Sequence, residues 1–319
     1  MGRGGGVFPI ASTTAPGLLR GTAMKIEEGV PLARLTTVGI GGPARAFARP
    51  RTLAELQEAL EWAAERELPV CPVGLGSNLL AADAGVRALV VRLDGELAAV
   101  EAEGTLLAAG GGAANAVCLH RARAAGLGGF EFASAIPGTT GGGVRMNAGA
   151  YGSDWKTVLE RALVVDAGAA RWLRNDELQL AYRRSSLRPG QVVARVEFRL
   201  VPRPPEEIKR TVADLLAQRK ATQPTNKRTF GSVFKNPDHE LGAGRMLEDC
   251  GLKGHRIGGA QISPRHANFI ENAGGATAAD ALALMAEARR RALERFGVVL
   301  EREVELLGDL ELPPAGSPA

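Results

Sequence analysis

Residues Ser134–Gly152 read SAIPGTTGGGVRMNAGAYG, and this glycine-rich stretch decides the predicted fold. Glycine adopts backbone conformations that other residues avoid, and it lets the backbone approach another group closely. The run Gly141–Gly143 is predicted to expose backbone N–H groups, which form concave binding sites for anions such as phosphate. Pro137 has a fixed φ angle and stiffens the entry to the stretch. The alternative is a surface loop without a ligand, although loops of this length without a function are uncommon.

A second glycine-rich segment, Val70–Leu80, reads VCPVGLGSNLL. Its apolar run Val70–Val73 predicts a strand, and Gly74–Asn78 predicts a tight polar turn with hydrogen-bonding groups available to a ligand. The spacing is not that of a dinucleotide-binding GxGxxG fingerprint, because apolar residues follow the glycines, and no GK[ST] of a P-loop follows either. The two glycine-rich segments together predict one extended ligand with a pyrophosphate, held from two sides.

The composition is that of a globular protein with a small positive charge. The 319 residues suffice for two or three domains, and a hydrophobic fraction of 45% supplies a sizeable core. The net charge of +4 favours anionic small molecules, and no basic stripe interleaved with aromatic residues indicates nucleic acid as a partner. No apolar run approaches the ~18 residues of a membrane span. The odd number and wide spacing of Cys71, Cys118 and Cys250 predict reduced thiols in a cytoplasmic protein and no metal site.

The patterning predicts alternating helices and strands. Helical periodicity predicts helices over Thr52–Leu68, Glu206–Lys220 and Thr277–Phe296. Thr52 with Glu55, and Thr277 with Asp280, have the spacing of a capping box. Strands are predicted over Leu89–Arg92, Leu97–Ala102, Leu106–Ala109, Arg161–Asp166, Val192–Val201 and Ala267–Glu271, with a last strand pair in Val298–Leu307.

Three segments are predicted to lie outside compact domains. Val201–Pro205 reads VPRPP and is typical of a linker. Residues 1–24 contain too short an apolar run for a signal peptide, and they are predicted to be a disordered extension. The Pro- and Ala-rich residues 311–319 are predicted to form a loose tail.

Six sequence blocks carry a resemblance to a known family that covers about residues 30 to 308. They are GLGSNLL (74–80), IPGTTGGGVRMNAGAYG (136–152), YRRS (182–185), GSVFKNP (231–237), GGA (258–260) and LEREVELLG (300–308). In this order the blocks resemble the UDP-N-acetylenolpyruvoylglucosamine reductases. The resemblance implies an α+β fold: a two-subdomain FAD-binding module of the vanillyl-alcohol-oxidase type, residues 25–93 and 94–203, and a C-terminal α+β substrate domain, residues 204–310. The compact third domain resembles the shorter subtype of the family, which lacks a tyrosine-bearing lid loop.

The resemblance implies reduction of the enolpyruvyl group of UDP-N-acetylglucosamine-enolpyruvate to UDP-N-acetylmuramate in peptidoglycan synthesis, with FAD as cofactor and NADPH as hydride donor. Neither Gly74–Leu80 nor Ser134–Gly152 contains His or Cys, so FAD is predicted to bind non-covalently. Two alternatives are another FAD-dependent oxidoreductase of the vanillyl-alcohol-oxidase class, and a flavin- or nucleotide-binding module without catalysis. The presence of all three residues that match the family's catalytic positions argues against the second.

Residue roles follow from motif positions in the resemblance. Arg183 is expected to bind the enolpyruvyl carboxylate, Ser232 to donate a proton to the substrate carbon, and Glu303 to lie beside Arg183. Lys220 and Asn236 match positions that contact the nucleotide diphosphate. The expected cofactor-binding residues are Gly74, Gly76, Ser77, Asn78, Leu79, Gly138, Thr139, Thr140, Gly142, Gly143, Asn147 and Gly149.

The reaction type requires such groups independently of the resemblance. A hydride and a proton add to neighbouring carbons, and negative charge spreads onto the carboxylate, where a guanidinium stabilises it. The hydride has to come from a cofactor, since no side chain supplies one. Strand alternation is predicted to place Arg183 and Arg184 on opposite faces but Glu301 and Glu303 on the same face, so Glu301 remains an alternative to Glu303. Lys235 is a candidate to stabilise the negative charge on the Ser232 oxygen when this serine gives up its proton.

Overall fold

The computed structural model describes residues 24–316, which form three units, each built around one main sheet. The prediction of a disordered extension over residues 1–24 falls, apart from Met24, outside the described residues. Among the described helices, none is both long and apolar enough to cross a membrane.

The first unit is a four-stranded sheet covered by one helix. Its elements are β1 (Ile26–Glu27), β2 (Ala44–Ala48), α1 (Leu53–Ala64), β3 (Val70–Pro72), β4 (Leu79–Ala81) and β5 (Val86–Val91). The main sheet has the order β1-β2-β5-β3, in which β2, β5 and β3 are parallel and β1 is antiparallel to β2. Leu56 and Leu60 of α1 are buried in the core under this sheet, since residues four apart lie on one helix face.

The start of α1 differs in one hydrogen bond from the predicted capping box. Thr52 Oγ1 accepts from the Glu55 N–H at 3.2 Å, as predicted. The Glu55 carboxylate, however, accepts from the Arg51 N–H at 2.6 Å, so the reciprocal half of the box is absent. The helix also ends at Ala64, before the predicted Leu68, and the chain turns through Glu67 with a φ of 51°.

The second unit is a five-stranded antiparallel sheet of order β12-β11-β13-β7-β6. Its elements are β6 (Val100–Glu103), β7 (Leu106–Gly110), α2 (Asn115–Ala124), β8 (Leu127–Gly128), α3 (Thr140–Met146), β9 (Gly149–Ala150), β10 (Ser153–Asp154), β11 (Leu159–Asp166), β12 (Ala169–Arg174), β13 (Val192–Arg199) and β14 (Val201–Pro202). The strand predicted over Leu97–Ala102 begins only at Val100, because Gly95–Ala98 forms a 3-10 turn. The buried Trp155 packs edge-on against Phe132, with ring centroids 5.5 Å apart, in an aromatic core behind α3.

The third unit is a four-stranded antiparallel sheet of order β15-β18-β17-β16, packed against α6. Ahead of it in the chain, α4 (Pro205–Thr222) packs through Val212 against the core of the second unit, although it falls within the predicted substrate domain of residues 204–310. The elements of the third unit are β15 (Thr229–Ser232), α5 (Ala243–Asp249), β16 (Arg256–Ile257), β17 (Ala260–Ile262), β18 (Phe269–Asn272), α6 (Ala278–Phe296) and β19 (Glu305–Leu307). The predicted strand pair in Val298–Leu307 is wrong: β19 is the one strand described there, and it pairs in parallel with β4 of the first unit.

The helix α6 has both of the end signals that the sequence predicts. Thr277 Oγ1 accepts from the Asp280 N–H at 3.0 Å, and the Asp280 carboxylate accepts from the Thr277 N–H at 3.0 Å. Gly297 ends the helix with a left-handed φ of 68°.

Replacing the capping hydroxyl of α6 should cost a modest amount of stability. Thr277→Ala leaves the Asp280 N–H without its side-chain acceptor, so we expect a loss of about 1 kcal/mol in the free energy of unfolding. Urea unfolding of the apoprotein measures this loss. Thr277→Ser keeps the oxygen and serves as the control, and an equal loss in both variants would contradict the capping role.

The first and third units share a core. Val38 and Leu80 of the first unit pack into the apolar cluster under α6. The Asp83 carboxylate accepts from the Ala278 N–H, at 2.8 and 3.0 Å to its two oxygens, at the start of α6. The loop after β4 is therefore attached to the third unit, and the two units position each other.

The chain after residue 310 is anchored rather than loose over the residues that the structure describes. Leu312 packs against the core of the third unit. The Arg289 guanidinium donates to the Pro313 carbonyl oxygen at 2.7 Å. The prediction of a loose tail from residue 311 is therefore corrected for these positions.

Candidate active site

The turn between β3 and β4 presents a row of free backbone donors. Within the described chain, the N–H groups of residues 74–78 donate to no protein acceptor. Gly76 is required for this shape, since its φ is 66° and an added Cβ would overlap the Leu35 carbonyl oxygen. Successive free N–H groups form a concavity that binds anions. The turn therefore has the properties predicted for a phosphate site.

The triple glycine of the other stretch forms helix α3 and does not offer bare donors, contrary to the prediction. The Gly141 N–H donates to the Gly111 carbonyl oxygen at 2.9 Å, and the Gly143 N–H donates to the Thr139 carbonyl oxygen at 2.9 Å. Glycine is needed here for close packing, because a Cβ on Gly143 would overlap the Trp155 indole. The helix consequently lies tightly against the aromatic core.

A cavity of about 370 Å³ lies between the first two units, where the turn after β3 faces α3. Of the predicted cofactor-binding residues, those that line it are Gly74, Thr139 and Gly142. Its charged lining residues are Arg49, Arg92, Arg145 and Asp94. Three guanidinium groups against one carboxylate give the cavity a net positive charge, which suits a pyrophosphate.

Arg49, Arg92 and Arg145 were not predicted to belong to the site. Arg49 and Arg92 directly follow the adjacent parallel strands β2 and β5. Ligands of open parallel sheets bind beyond the carboxyl ends of the strands, so a basic residue after each strand was an available signal. Arg145 lies within the glycine-rich stretch itself, and its Nη2 donates to the Gln191 carbonyl oxygen at 2.7 Å.

The remaining predicted cofactor residues lie outside the lining of this cavity: Gly76, Ser77, Asn78, Leu79, Gly138, Thr140, Gly143, Asn147 and Gly149. Two of them have a structural role in place of the predicted one. Thr140 is fully buried, and its hydroxyl donates to the Gly110 carbonyl oxygen at 2.7 Å. Asn147 is 1% exposed at the left-handed end of α3.

Both the nitrogen and the oxygen of the Asn147 side-chain amide form hydrogen bonds within the protein. Its Nδ2 donates to Asp154 Oδ2 at 2.9 Å and to the Ala181 carbonyl oxygen at 3.1 Å. Its Oδ1 accepts from the Lys156 N–H at 2.9 Å. Asn147 therefore holds the turn that carries Arg183 and does not face the cavity.

Ser77 and Asn78 connect the cofactor turn to the rest of the site. The Ser77 hydroxyl donates to the Pro137 carbonyl oxygen at 2.6 Å, which joins the two glycine-rich segments. Asn78 Nδ2 donates to the Glu303 carbonyl oxygen at 3.1 Å. The backbone at Glu303 is thus fixed directly by the turn after β3.

Arg183 and Glu303 form an ion pair that is largely withdrawn from solvent. Arg183 Nε lies 2.8 Å from Glu303 Oε1, and the two side chains are 19% and 16% exposed. Arg183 Nη2 donates to the Gly149 carbonyl oxygen at 2.8 Å. Arg183 adopts a φ of 52° in a tight turn, so turn geometry and not strand alternation separates it from Arg184.

The structure distinguishes Glu303 from its alternative, Glu301. The Glu301 side chain is 72% exposed and pairs with Lys235 at the surface, whereas Glu303 faces Arg183. Alternation does not apply, because the segment before Glu305 is not a strand. Burial raises the pKa of the Glu303 carboxyl, and the nearby Arg183 and Lys235 oppose this rise.

Ser232 ends β15 next to the segment that carries Glu303. A register shift precedes it, and Gly231 has a φ of 81°, which is typical of a bulge that redirects a side chain. The Val233 carbonyl oxygen accepts from the Glu303 N–H at 2.8 Å. The fold therefore brings together the three residues that were predicted to be catalytic, on segments far apart in sequence.

Lys220 and Asn236 stay predictions as substrate contacts, and only Asn236 is linked to the turn of Arg183, through Tyr182. Lys220 is exposed near the end of α4, and its carbonyl oxygen accepts from the Arg265 guanidinium. Asn236 is exposed, its Oδ1 accepts from the Ala243 N–H at 3.1 Å, and its N–H donates to the Tyr182 hydroxyl at 3.3 Å.

Comparison with known proteins agrees with these features. The profile of the UDP-N-acetylenolpyruvoylglucosamine reductase C-terminal domain matches residues 223–307, and that of an FAD binding domain matches residues 44–173. A UDP-N-acetylenolpyruvoylglucosamine reductase of Anaeromyxobacter dehalogenans is 46% identical over 89% of this chain and 85% of its own. UDP-N-acetylenolpyruvoylglucosamine reductase 2 of Symbiobacterium thermophilum is 44% identical over 89% and 92%.

The chain belongs to the UDP-N-acetylenolpyruvoylglucosamine reductase family. The crystal structure of the reductase from Thermus caldophilus has a TM-score of 0.78 and 39% identity, covering 89% of this chain and 99% of that one. The chain is thus an FAD-dependent oxidoreductase of this family. The predicted fold class, a two-part FAD-binding module with a further α+β domain, is confirmed.

The residues of the cavity fit the FAD of this reductase family. The free N–H groups of Gly74 and Leu75, which line the cavity, are donors for phosphate oxygens, and the guanidinium groups of the lining balance the phosphate charge. Gly142 leaves space on the opposite wall, since its Cβ would meet only Thr139 Oγ1, at 3.6 Å.

Alanine substitutions at the neighbouring Gly142 and Gly143 of this reductase should differ in their effect on the melting temperature of the apoprotein. Gly142→Ala adds a methyl group where no backbone is near, so we expect the apoprotein to melt at an unchanged or higher temperature. The methyl group occupies space in the cofactor cavity, and we expect weaker FAD binding by about 1–3 kcal/mol. Gly143→Ala meets the Trp155 indole and should lower the melting temperature instead.

Flavin fluorescence titration and thermal melts of both apoproteins measure the two effects. Gly142→Ala protein that binds FAD as tightly as the unmodified protein would show that this wall of the cavity does not contact the cofactor.

Proposed function

We propose that this site reduces the enolpyruvyl double bond of UDP-N-acetylglucosamine-enolpyruvate to give UDP-N-acetylmuramate, in the cytoplasm, as a step of peptidoglycan synthesis. FAD, reduced by NADPH, supplies the hydride. The observation that carries the proposal is the buried Arg183–Glu303 ion pair beside the strand of Ser232. The remaining steps are assigned to residues of this chain.

Arg183 binds and polarises the substrate carboxylate. A guanidinium has five N–H donors, and the two hydrogen bonds to Glu303 and Gly149 leave others available. These N–H groups bind a carboxylate in parallel and stabilise the negative charge that grows on it. Glu303 fixes the plane of the guanidinium, so the donors are oriented before the substrate arrives.

Ser232 delivers the proton to the neighbouring carbon. Within residues 24–316 its hydroxyl makes no hydrogen bond, so it is available to a bound ligand. A serine hydroxyl is a weak acid and needs nearby positive charge as it loses its proton. Lys235, whose side chain is 17% exposed, lies on the same segment and is proposed to supply that charge.

The nucleotide diphosphate is proposed to bind at Lys220 and Asn236. Lys220 offers a flexible cation, and the Asn236 amide offers donor groups at the edge of the site. The cofactor is proposed to remain non-covalently bound, because none of the described residues that line the cavity is His or Cys.

The expected result for purified protein is NADPH oxidation that depends on the enolpyruvyl group. A yellow preparation should oxidise NADPH rapidly with UDP-N-acetylglucosamine-enolpyruvate and only slowly with UDP-N-acetylglucosamine, which lacks the double bond. Absorbance at the NADPH band measures the rate, and acid precipitation should release the flavin into solution. Equal rates with the two sugars would refute the proposal.

A further inference from the structure

The strand that carries Ser232 is held by one buried side chain. Asn268, which is 4% exposed, pairs with both backbone groups of Phe234. The Phe234 N–H donates to Asn268 Oδ1 at 3.0 Å, and Asn268 Nδ2 donates to the Phe234 carbonyl oxygen at 2.8 Å. The Asn268 carbonyl oxygen also accepts from the Val233 N–H at 2.9 Å. The amide replaces the ladder hydrogen bonds that the bulge at Gly231 interrupts.

The other edge of the same segment is attached to the backbone of the segment that carries Glu303. The Glu303 N–H donates to the Val233 carbonyl oxygen at 2.8 Å, and the Lys235 N–H donates to the Glu301 carbonyl oxygen at 2.9 Å. The segment that carries Ser232 therefore lies between Asn268 and the segment of Glu303. Its position depends on hydrogen bonds on both sides.

The backbone of Asn268 is itself held in place. Its main-chain N–H donates to His266 Nδ1 at 3.2 Å, and His266 packs edge-on against Phe269. Burial lowers the pKa of His266, which favours the neutral imidazole whose Nδ1 can accept this hydrogen bond. A buried amide with both ends paired has one favoured orientation, since reversing it would put donor against donor.

We propose that Asn268 is a positioning residue for proton transfer: its amide holds Phe234 so that the Ser232 hydroxyl points at the substrate carbon. The inference rests on the proposed function, in which Ser232 is the proton donor. Displacement of a reacting group by about 1 Å can cost about 100-fold in rate. Loss of this amide should therefore affect the one step that uses Ser232.

The test uses the FAD-loaded full-length protein and follows the two half-reactions separately. In the Asn268→Ala variant we expect NADPH to bleach the flavin absorbance within twofold of the normal rate. Return of the absorbance after adding UDP-N-acetylglucosamine-enolpyruvate should be slower by about 10- to 100-fold. Asn268→Ser keeps one hydrogen-bonding atom and should show a smaller loss of rate. This variant also replaces Asn268→Ala in the test if the alanine variant does not fold.

Two further variants distinguish a positioning role of Asn268 from a general disturbance of the folded structure. In a Ser232→Ala background the Asn268→Ala change should add less than twofold, because its effect acts through the Ser232 hydroxyl. Asn272→Ala is the matched control: it also removes a hydrogen-bonded amide from the end of β18, but its Nδ2 donates to Val38, away from Ser232.

The outcomes are distinguishable. Equal slowing of both half-reactions, an undiminished effect in the Ser232→Ala background, or the same loss in Asn272→Ala would overturn the positioning role while leaving the proposed function intact. If the unmodified protein does not recover its absorbance with the enolpyruvyl sugar, the proposed function fails, and the inference fails with it.

Discussion

The Ser232→Ala variant is expected to take electrons from NADPH at the normal rate and to transfer them to the substrate about 10²- to 10⁴-fold more slowly. This is the usual contribution of a positioned general acid. Ser232 is the last residue of β15, and its hydroxyl makes no hydrogen bond within the described residues. We therefore expect removal of the hydroxyl to leave the fold and the cofactor cavity unchanged. Substrate binding should remain, since the charge that attracts the carboxylate belongs to Arg183.

Anaerobic stopped-flow absorbance measures the two half-reactions of Ser232→Ala, and equilibrium titration with the enolpyruvyl sugar measures binding. Ser186→Ala is the matched control, because its hydroxyl donates to the Glu177 carbonyl oxygen away from the site. Substrate-dependent recovery of the Ser232→Ala absorbance at the rate of the unmodified protein would disprove the role of proton donor.

The Arg183→Lys variant is expected to lose about 10²- to 10³-fold in kcat/KM for the enolpyruvyl sugar, the usual effect of removing one donor to a developing negative charge. Lysine keeps the positive charge but has no planar fork, so it cannot pair with Glu303, bind Gly149 and orient the carboxylate at once. The loss should fall on the substrate-dependent half-reaction.

Arg184→Lys provides the control for charge and position, since Arg184 is the exposed neighbour in the same turn. Steady-state kinetics of the two variants, with FAD content measured for each, makes the comparison. Similar kcat/KM values for the two variants would show that the bidentate geometry at Arg183 is not used.

Elements whose signals are local were predictable from the sequence. The helix α6 has its cap, its apolar face and its stop glycine within one segment, and the structure reproduces all three. The strand β12 was missed because its sequence, AARWLR, does not alternate, and it exists through pairing with β11. The partner of β19 is β4, more than two hundred residues earlier, which no local pattern reveals.

The site shows the same division between local and distant causes. The free N–H groups of residues 74–78 follow from glycines within the turn, and they were predicted. Those of Gly141 and Gly143 were wrongly predicted to be bare. The Gly143 N–H donates to Thr139 because the stretch forms the helix α3, whereas the acceptor of Gly141 is Gly111, in a segment that lies thirty residues earlier. Arg183 and Glu303 could be selected only through the family motifs, since 120 residues separate them.

The hydrogen bond from Asn78 to Glu303 has a consequence for synthesis on the ribosome. It spans 225 residues, and the strand that follows Glu303 completes the edge of β4. Domains fold in order as the chain emerges, and contacts of high sequence separation form late. The Glu303 carboxylate, which is proposed to be catalytic, can therefore join the site only after both units that line the flavin cavity have been synthesised.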